Sequence, residues 1–150
     1  SDEVMILSGD KDFIQLQKFP NVKQYSPITK KMINGFNPDD YLKEHVLKGD
    51  TSDGVPNVLS PDNSFVDGIR QKPLSKKKIA AMIDGAFPND EIKRNYQRNK
   101  TLIDLGCVPD ELRTEILVTY KDAPENSRSK LLNYFIKQRL KTLTESIGEF

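Results

Sequence analysis

Two pairs of aspartates carry most of the chemistry open to this sequence. Asp10 and Asp12 lie in Ser8-Gly9-Asp10-Lys11-Asp12-Phe13, directly behind the apolar run Val4-Met5-Ile6-Leu7. Carboxylates at i and i+2 can both face a hard cation, since Mg2+ and Mn2+ take oxygen ligands. Asp50 and Asp53 lie three residues apart in Lys48-Gly49-Asp50-Thr51-Ser52-Asp53-Gly54-Val55-Pro56. Each pair has a plainer reading. Asp12 could cap a helix through Phe13-Ile14-Gln15-Leu16, and Asp50 and Asp53 could bond their own backbone in a turn. A phosphatase-type nucleophile normally has a small polar residue after Asp-x-Asp, where this chain has Phe13 and Ile14. A calcium EF-hand counted from Asp50 would place Pro61 where a bidentate glutamate is required.

The third feature is basic. Arg70, Lys72, Lys76, Lys77 and Lys78 fall in one stretch without an acid. Ser75 suits an N-cap, so three lysines occupy the first turn of a helix through Ile79-Ala80-Ala81-Met82-Ile83, against the macrodipole preference. Free N–H groups beside lysines make an anion pocket for phosphate, and the plainer reading is a solvated helix start. Acids able to hold a divalent ion, followed by a basic helix start, describe metal-assisted chemistry on a phosphodiester.

The elements that must position these residues are legible from punctuation. Val4–Leu7 reads as a buried parallel strand, covered on both faces, with a ligand site at its carboxyl end. The further strand candidates, Val22–Tyr25 and Lys31–Ile33, are short and polar. The rest of the sheet is therefore expected upstream, with Ser1 a fragment boundary. Asn37-Pro38-Asp39-Asp40 supplies an N-cap, a proline at the first position and first-turn acids for a helix through Tyr41, Leu42, His45, Val46 and Leu47 to Gly49. A second helix opens at Pro88 and reaches Leu105. A third opens at Val108-Pro109-Asp110-Glu111 and passes Tyr120. A fourth carries Leu131, Leu132, Phe135, Ile136 and Leu140, and Leu143 and Ile147 close the chain. The long loop from Asp50 to Leu74 is of the kind that is functional or disordered. The expected fold is α/β and mostly helical, with regions 1–36, 37–87 and 88–150: the end of a parallel sheet, a nucleic-acid-binding region and a C-terminal helical bundle.

Composition excludes several classes. The 150 residues carry 23 Lys and Arg against 22 Asp and Glu, a net charge of +1, so a globally basic nucleic-acid binder is ruled out and a local basic face is not. One cysteine, Cys107, excludes a disulfide framework and a multi-cysteine zinc cage, and is expected to be a small buried hydrophobe. No apolar run approaches the roughly 20 residues of a membrane span, and no signal-peptide layout opens the chain. The expectation is a soluble, intracellular monomer with no membrane partner. His45, which shares a helix face with Tyr41, is expected to be structural or exposed, because an oxygen-ligand site needs no imidazole. Lys93, Arg94, Arg98 and Lys100, and likewise Lys130, Lys137, Arg139 and Lys141, read as solvated basic helix faces.

The block Ser8-Gly9-Asp10-Lys11-Asp12-Phe13-Ile14-Gln15-Leu16, followed by Gly49-Asp50-Thr51-Ser52-Asp53-Gly54-Val55-Pro56-Asn57-Val58, resembles the 5′-nuclease (flap endonuclease) family. The first block is similar to its second acidic motif and the second to its helix–three-turn–helix DNA-binding motif. The tail Leu143-Thr144-Glu145-Ser146-Ile147-Gly148-Glu149-Phe150 resembles most closely the phage ribonuclease H members. The resemblance covers the whole chain, as the C-terminal half of a longer enzyme. It implies 5′→3′ exonuclease and flap endonuclease action that removes RNA primers and adjacent DNA during replication, in the cytoplasm of a phage-infected host. It implies two Mg2+ (or Mn2+) ions that generate hydroxide and stabilise the leaving oxygen. Asp10 and Asp12 would lie nearest the ions, with Asp50 and Asp53 serving the second site directly or through water. Gly54, Val55 and the residues on to Val58 would lie along the duplex backbone. Relatives commonly carry Asn where this chain has Gly54, and Leu59 to Leu74 replaces their glycine-rich continuation. Arg70, Lys72, Ser75, Lys76, Lys77 and Lys78 would then take the phosphate role. Implied partners are a 5′-flap duplex or RNA/DNA hybrid, a single-strand-binding protein and a sliding clamp. Because other family acids belong to a preceding half, this chain alone is expected to be nearly inactive. The alternatives are a non-catalytic duplex-binding module and a replication-protein interaction domain.

Overall fold

The computed structural model describes residues 2–122 and 128–149, so Ser1, the fragment-boundary residue, and Phe150, the last residue of the tail motif, lie outside the described residues. The chain is mostly helical with one small mixed sheet, and it divides after Pro109 into two compact units.

In the first unit, β1 (Val4–Leu7) pairs in parallel with β2 (Val22–Ser26), Val4 opposite Val22 and Leu7 opposite Tyr25. The third strand, β3 (Lys31–Met32), runs antiparallel to β2. The burial expected of β1 is not found. Val4, Met5 and Leu7 are exposed and Ile6 is half-buried, because among the described residues β1 pairs only with β2. An apolar run reports what a strand can bury, and only neighbouring layers decide what it does bury.

The crossover from β1 to β2 is a 3-10 helix, Lys11–Lys18, capped by Asp10, whose side chain accepts the Asp12 N–H at 3.0 Å. Asp10 thus holds the capping place that the plainer reading gave to Asp12. Two buried glutamines fix this crossover. Gln24 donates to the carbonyls of Ser8 (2.9 Å) and Asp10 (2.6 Å). Gln15 donates to Ile103 O at 2.9 Å and accepts from Leu105 N at 3.1 Å.

Helix α1 (Pro38–Lys48) begins where its punctuation places it. Asn37 accepts from the N–H groups of Asp39 (3.0 Å) and Asp40 (3.1 Å), and the Gly49 N–H closes the other end on His45 O at 2.8 Å. Gly49 has φ +68°, and a Cβ there would lie 2.3 Å from Val55 O, so this position needs glycine for conformation and for space. Helix α2 (Lys76–Met82) starts at Ser75, which accepts the Lys78 N–H at 3.4 Å. Leu47, Val58, Ile79 and Met82 form one buried cluster, flanked by Leu74, Phe87 and Tyr96. Val46, Val55 and Ile103 form another.

The stretch from Asp50 to Leu74 is ordered, turn-rich chain, and α3 (Asp90–Ile103) explains why. Buried Asn95 donates to Val58 O (3.0 Å) and Ser60 O (3.3 Å). Buried Asn99 donates to Val46 O and Pro56 O, both at 2.9 Å. Backbone polar groups removed from water need partners, and these amides provide them. Arg94 and Arg98 both pair with Asp62, and Arg98 also donates to Pro56 O at 3.0 Å. That part of the α3 basic face is therefore a tether for the loop, whereas Lys93 is exposed as expected. A 3-10 turn, Leu105–Cys107, follows α3, and Cys107 is half-buried, a shallower place than expected.

The second unit contains α4 (Asp110–Lys121), α5 (Arg128–Lys137), α6 (Lys141–Glu145) and a 3-10 turn, Ile147–Glu149. Helix α5 ends before Leu140: Arg139 adopts φ +56° and the Leu140 N–H returns to Phe135 O at 2.9 Å. Lys130, Lys137, Arg139 and Lys141 are exposed, as expected of a solvated face. No helix among the described residues is long and apolar enough to cross a membrane.

Candidate metal centre

Three side chains meet where the β1 loop faces the end of α1. Asp12 enters from the first turn of the 3-10 crossover, His45 from the last turn of α1, and Asp50 from the residue after Gly49. One ligand atom from each lies within 4.8 Å of the others. His45 stands between the two acids, with Nε2 3.1 Å from Asp50 Oδ2 and Nδ1 3.6 Å from Asp12 Oδ1. The imidazole is largely buried, and its Nδ1 has no hydrogen-bond partner. Tyr41 sits one turn earlier, its ring edge-on to His45 with centroids 5.7 Å apart, so the shared face read from the sequence is present.

Asp50 is held by its own loop. Its Oδ1 accepts from the Ser52 hydroxyl, the Ser52 N–H (2.8 Å) and the Asp53 N–H (3.4 Å), while Oδ2 turns to His45. The Ser52 hydroxyl bond is the main reason its carboxyl lies below the ordinary value; burial opposes this, and the Ser52 N–H, His45 and the Asp53 N–H add to the lowering. Asp12 goes the other way. Burial raises it most, His45 partly offsets that, and the charges of Asp10, Asp50 and Asp53 raise it further. Tyr41 is also raised, first by burial and then by the carboxylates of Asp12 and Asp50.

The four aspartates singled out from the sequence thus occupy different places. Asp12 and Asp50 share the centre. Asp10 is exposed as a helix cap, Asp53 is exposed on the loop, and both act on Asp12 through their charge. A cleft of about 1210 Å3 opens here, lined among others by Asp10, Lys11, Tyr41, His45, Gly49 and Asp50. Carboxylates with an adjacent buried imidazole nitrogen lacking a partner form a donor set suited to a divalent cation.

The other candidates sit outside this cluster. Gly54 is exposed with φ +73°. Val55 is buried, pairs with Asp50 in an isolated bridge and packs against Val46 and Ile103. Arg70, Lys72, Ser75, Lys76, Lys77 and Lys78 are exposed. The Lys72 N–H donates to Ser60 Oγ at 2.9 Å, and Lys78 Nζ reaches Pro73 O at 3.3 Å. The reading of His45 as structural or exposed did not place it between Asp12 and Asp50, where the structure puts it. The positional signal is that His45 lies in the last turn of α1, five residues before Asp50.

Residues 37–150 match the family described as T4 RNase H, C terminal. The Ribonuclease H of Enterobacteria phage T4 is 34% identical over 160 aligned positions, covering 99% of this chain and 52% of the relative. The chain therefore spans about half the length of that relative.

Proposed function

The chain belongs to the T4 RNase H C-terminal family, and from that premise we propose that it forms the C-terminal part of a metal-dependent 5′→3′ exonuclease and flap endonuclease. The proposed substrate is a DNA duplex with a 5′ flap or an RNA/DNA hybrid. The proposed task is removal of RNA primers and adjacent DNA during phage replication in the host cell.

One observation carries this reading: Asp12 and Asp50 converge on His45, with Asp10 and Asp53 near enough for their charge to act on Asp12. Asp10, Asp12, Asp50 and Asp53 would hold Mg2+ or Mn2+, and the bound ion would supply Lewis-acid stabilisation of negative charge on a phosphodiester. The chain's own groups prepare the place. Gln24 fixes the loop that presents Asp10 and Asp12, and Ser52 fixes Asp50 with one oxygen toward the centre. The crowded carboxylates favour a bound cation because it relieves burial and mutual repulsion together. Gly54 and the backbone of Val55 approach the duplex, and Arg70, Lys72, Lys76, Lys77 and Lys78 contact phosphates beside the Ser75 helix start.

The test uses the enzyme completed by its preceding half and a labelled 5′-flap duplex, with cleavage and anisotropy followed together. Asp12→Ala is expected to reduce cleavage at least about 100-fold and leave binding within about threefold. The combined change of Lys76, Lys77 and Lys78 to Ala is expected to weaken binding and lower the log–log salt slope by about one per lost contact. Cleavage that survives Asp12→Ala overturns the metal assignment. An unchanged slope removes the lysines from the duplex interface.

A further inference from the structure

The loop between Asp50 and Leu74 carries an apolar tip. Phe65, Val66 and Ile69 are all exposed, Val66 at 88%. Single apolar side chains at a surface are ordinary, but three within five residues of a loop make a patch. The backbone beneath them is fixed. The Asp67 N–H donates to Asn63 O at 2.9 Å and the Ile69 N–H to Ser64 O at 2.7 Å, so residues 63–69 close into a compact turn. The Asn63 amide also bonds the Asp67 carboxylate. Ser64 is buried beneath the turn, with its hydroxyl on Pro61 O at 2.6 Å. The base is tied as well: Asn57 donates to Lys72 O at 2.9 Å, and Arg94 and Arg98 hold Asp62. A tip on fixed backbone loses little freedom when it meets a partner.

The flanking charge identifies the partner. Arg70 and Lys72 follow the tip and are exposed, Lys76, Lys77 and Lys78 come next, and Asp67 is the one acid in residues 63–83. Cations find phosphates on a duplex, whereas Phe and Val side chains can bond none and find only base faces and sugar edges. Proteins that kink DNA from the minor groove insert apolar side chains between base steps in this way. We propose that Phe65 and Val66 form a wedge that enters the minor groove of the bound duplex and partly unstacks one base step, while Arg70 and Lys72 hold neighbouring phosphates. This rests on the duplex-binding reading above and adds a contact to bases, where that reading has contacts to the backbone.

The test uses the enzyme completed by its preceding half, with a chelator present so that no strand is cut. The probe is a 5′-flap duplex with 2-aminopurine placed at successive positions of its paired region. Fluorescence at one position is expected to rise about twofold or more on binding, as that base loses a stacked neighbour. Val66→Ser and Phe65→Ser should each remove the rise and weaken binding about fivefold at every salt concentration. The log–log salt slope should not change, because an apolar contact releases no counterion. Arg70→Ala is the contrast, expected to lower the slope by about one and keep the rise. Both serine changes fall on exposed side chains, so the thermal midpoint should stay in place. Binding without a fluorescence rise at any position of the unmodified complex overturns the wedge and leaves the duplex reading standing, whatever the variants do. Unchanged affinity in both serine variants overturns it too, as does loss of binding to anionic phospholipid vesicles in place of DNA. Failure to bind the duplex at all overturns both readings.

Discussion

Asp12 and Asp50 lie on opposite sides of one imidazole, and folding moves their acidities in opposite directions. Burial holds the Asp12 carboxyl above its ordinary value, so the native state binds that proton more tightly than the unfolded chain. Its contribution is therefore lost as pH rises through the raised folded value. The Ser52 hydrogen bond holds Asp50 below its ordinary value, so its contribution is present above that value and lost as pH falls through the lowered folded one. In the presence of a chelator, Asp12→Asn is expected to raise Tm near neutral pH, and Asp50→Asn to lower it. Both differences should shrink toward about pH 3. Thermal denaturation of the two variants across this range checks the pair. Shifts of the same sign at neutral pH would refute the opposed assignment.

The centre exists because two elements end at the same place, and Gly49 is where one of those endings is decided. The residue caps α1, turns the chain into the Asp50 loop and lies against the backbone of Val55 and Pro56. Gly49→Ala would place a methyl group within 2.3 Å of a carbonyl oxygen at a φ that side chains rarely adopt. The expected cost is at least about 2 kcal/mol, read as a lower urea midpoint. Because the strain falls between His45 and Asp50, bound Mn2+ should weaken in the same variant. Gly54→Ala is a useful contrast, since no atom stands near its missing Cβ and only the positive φ is penalised. Equal destabilisation of the two variants would mean that close approach adds nothing at Gly49.

At the scale of the first unit, the acidic loops are held by side chains far away in sequence. Gln15 closes on Ile103 and Leu105 across 88 and 90 residues, joining the crossover that bears Asp12 to the end of α3. Gln15→Ala leaves a carbonyl and an N–H unpaired at that junction, for an expected loss of about 1–3 kcal/mol with an unchanged denaturant slope. An unchanged midpoint would show that water replaces the glutamine without cost. Asn95, Asn99 and Arg98 serve the Asp50–Leu74 loop in the same way, which is why so long a stretch lacking strand or helix is still ordered.

Local chemistry was legible without coordinates. The Asn37-Pro38-Asp39-Asp40 start and Gly49 stop of α1, the Ser75 cap, the strand at Val4–Leu7 and the two acidic loops all follow from preferences that act within a few residues. The family membership followed from the same short motifs. Only the tertiary structure decided the rest: that β1 is exposed, that β3 turns antiparallel, that Arg98 and two asparagines hold a loop, and that His45 stands between Asp12 and Asp50. The physical reason is distance along the chain. Propensities, caps and turn residues are set by neighbours in sequence, whereas burial and partner choice depend on which remote segments arrive at the same place.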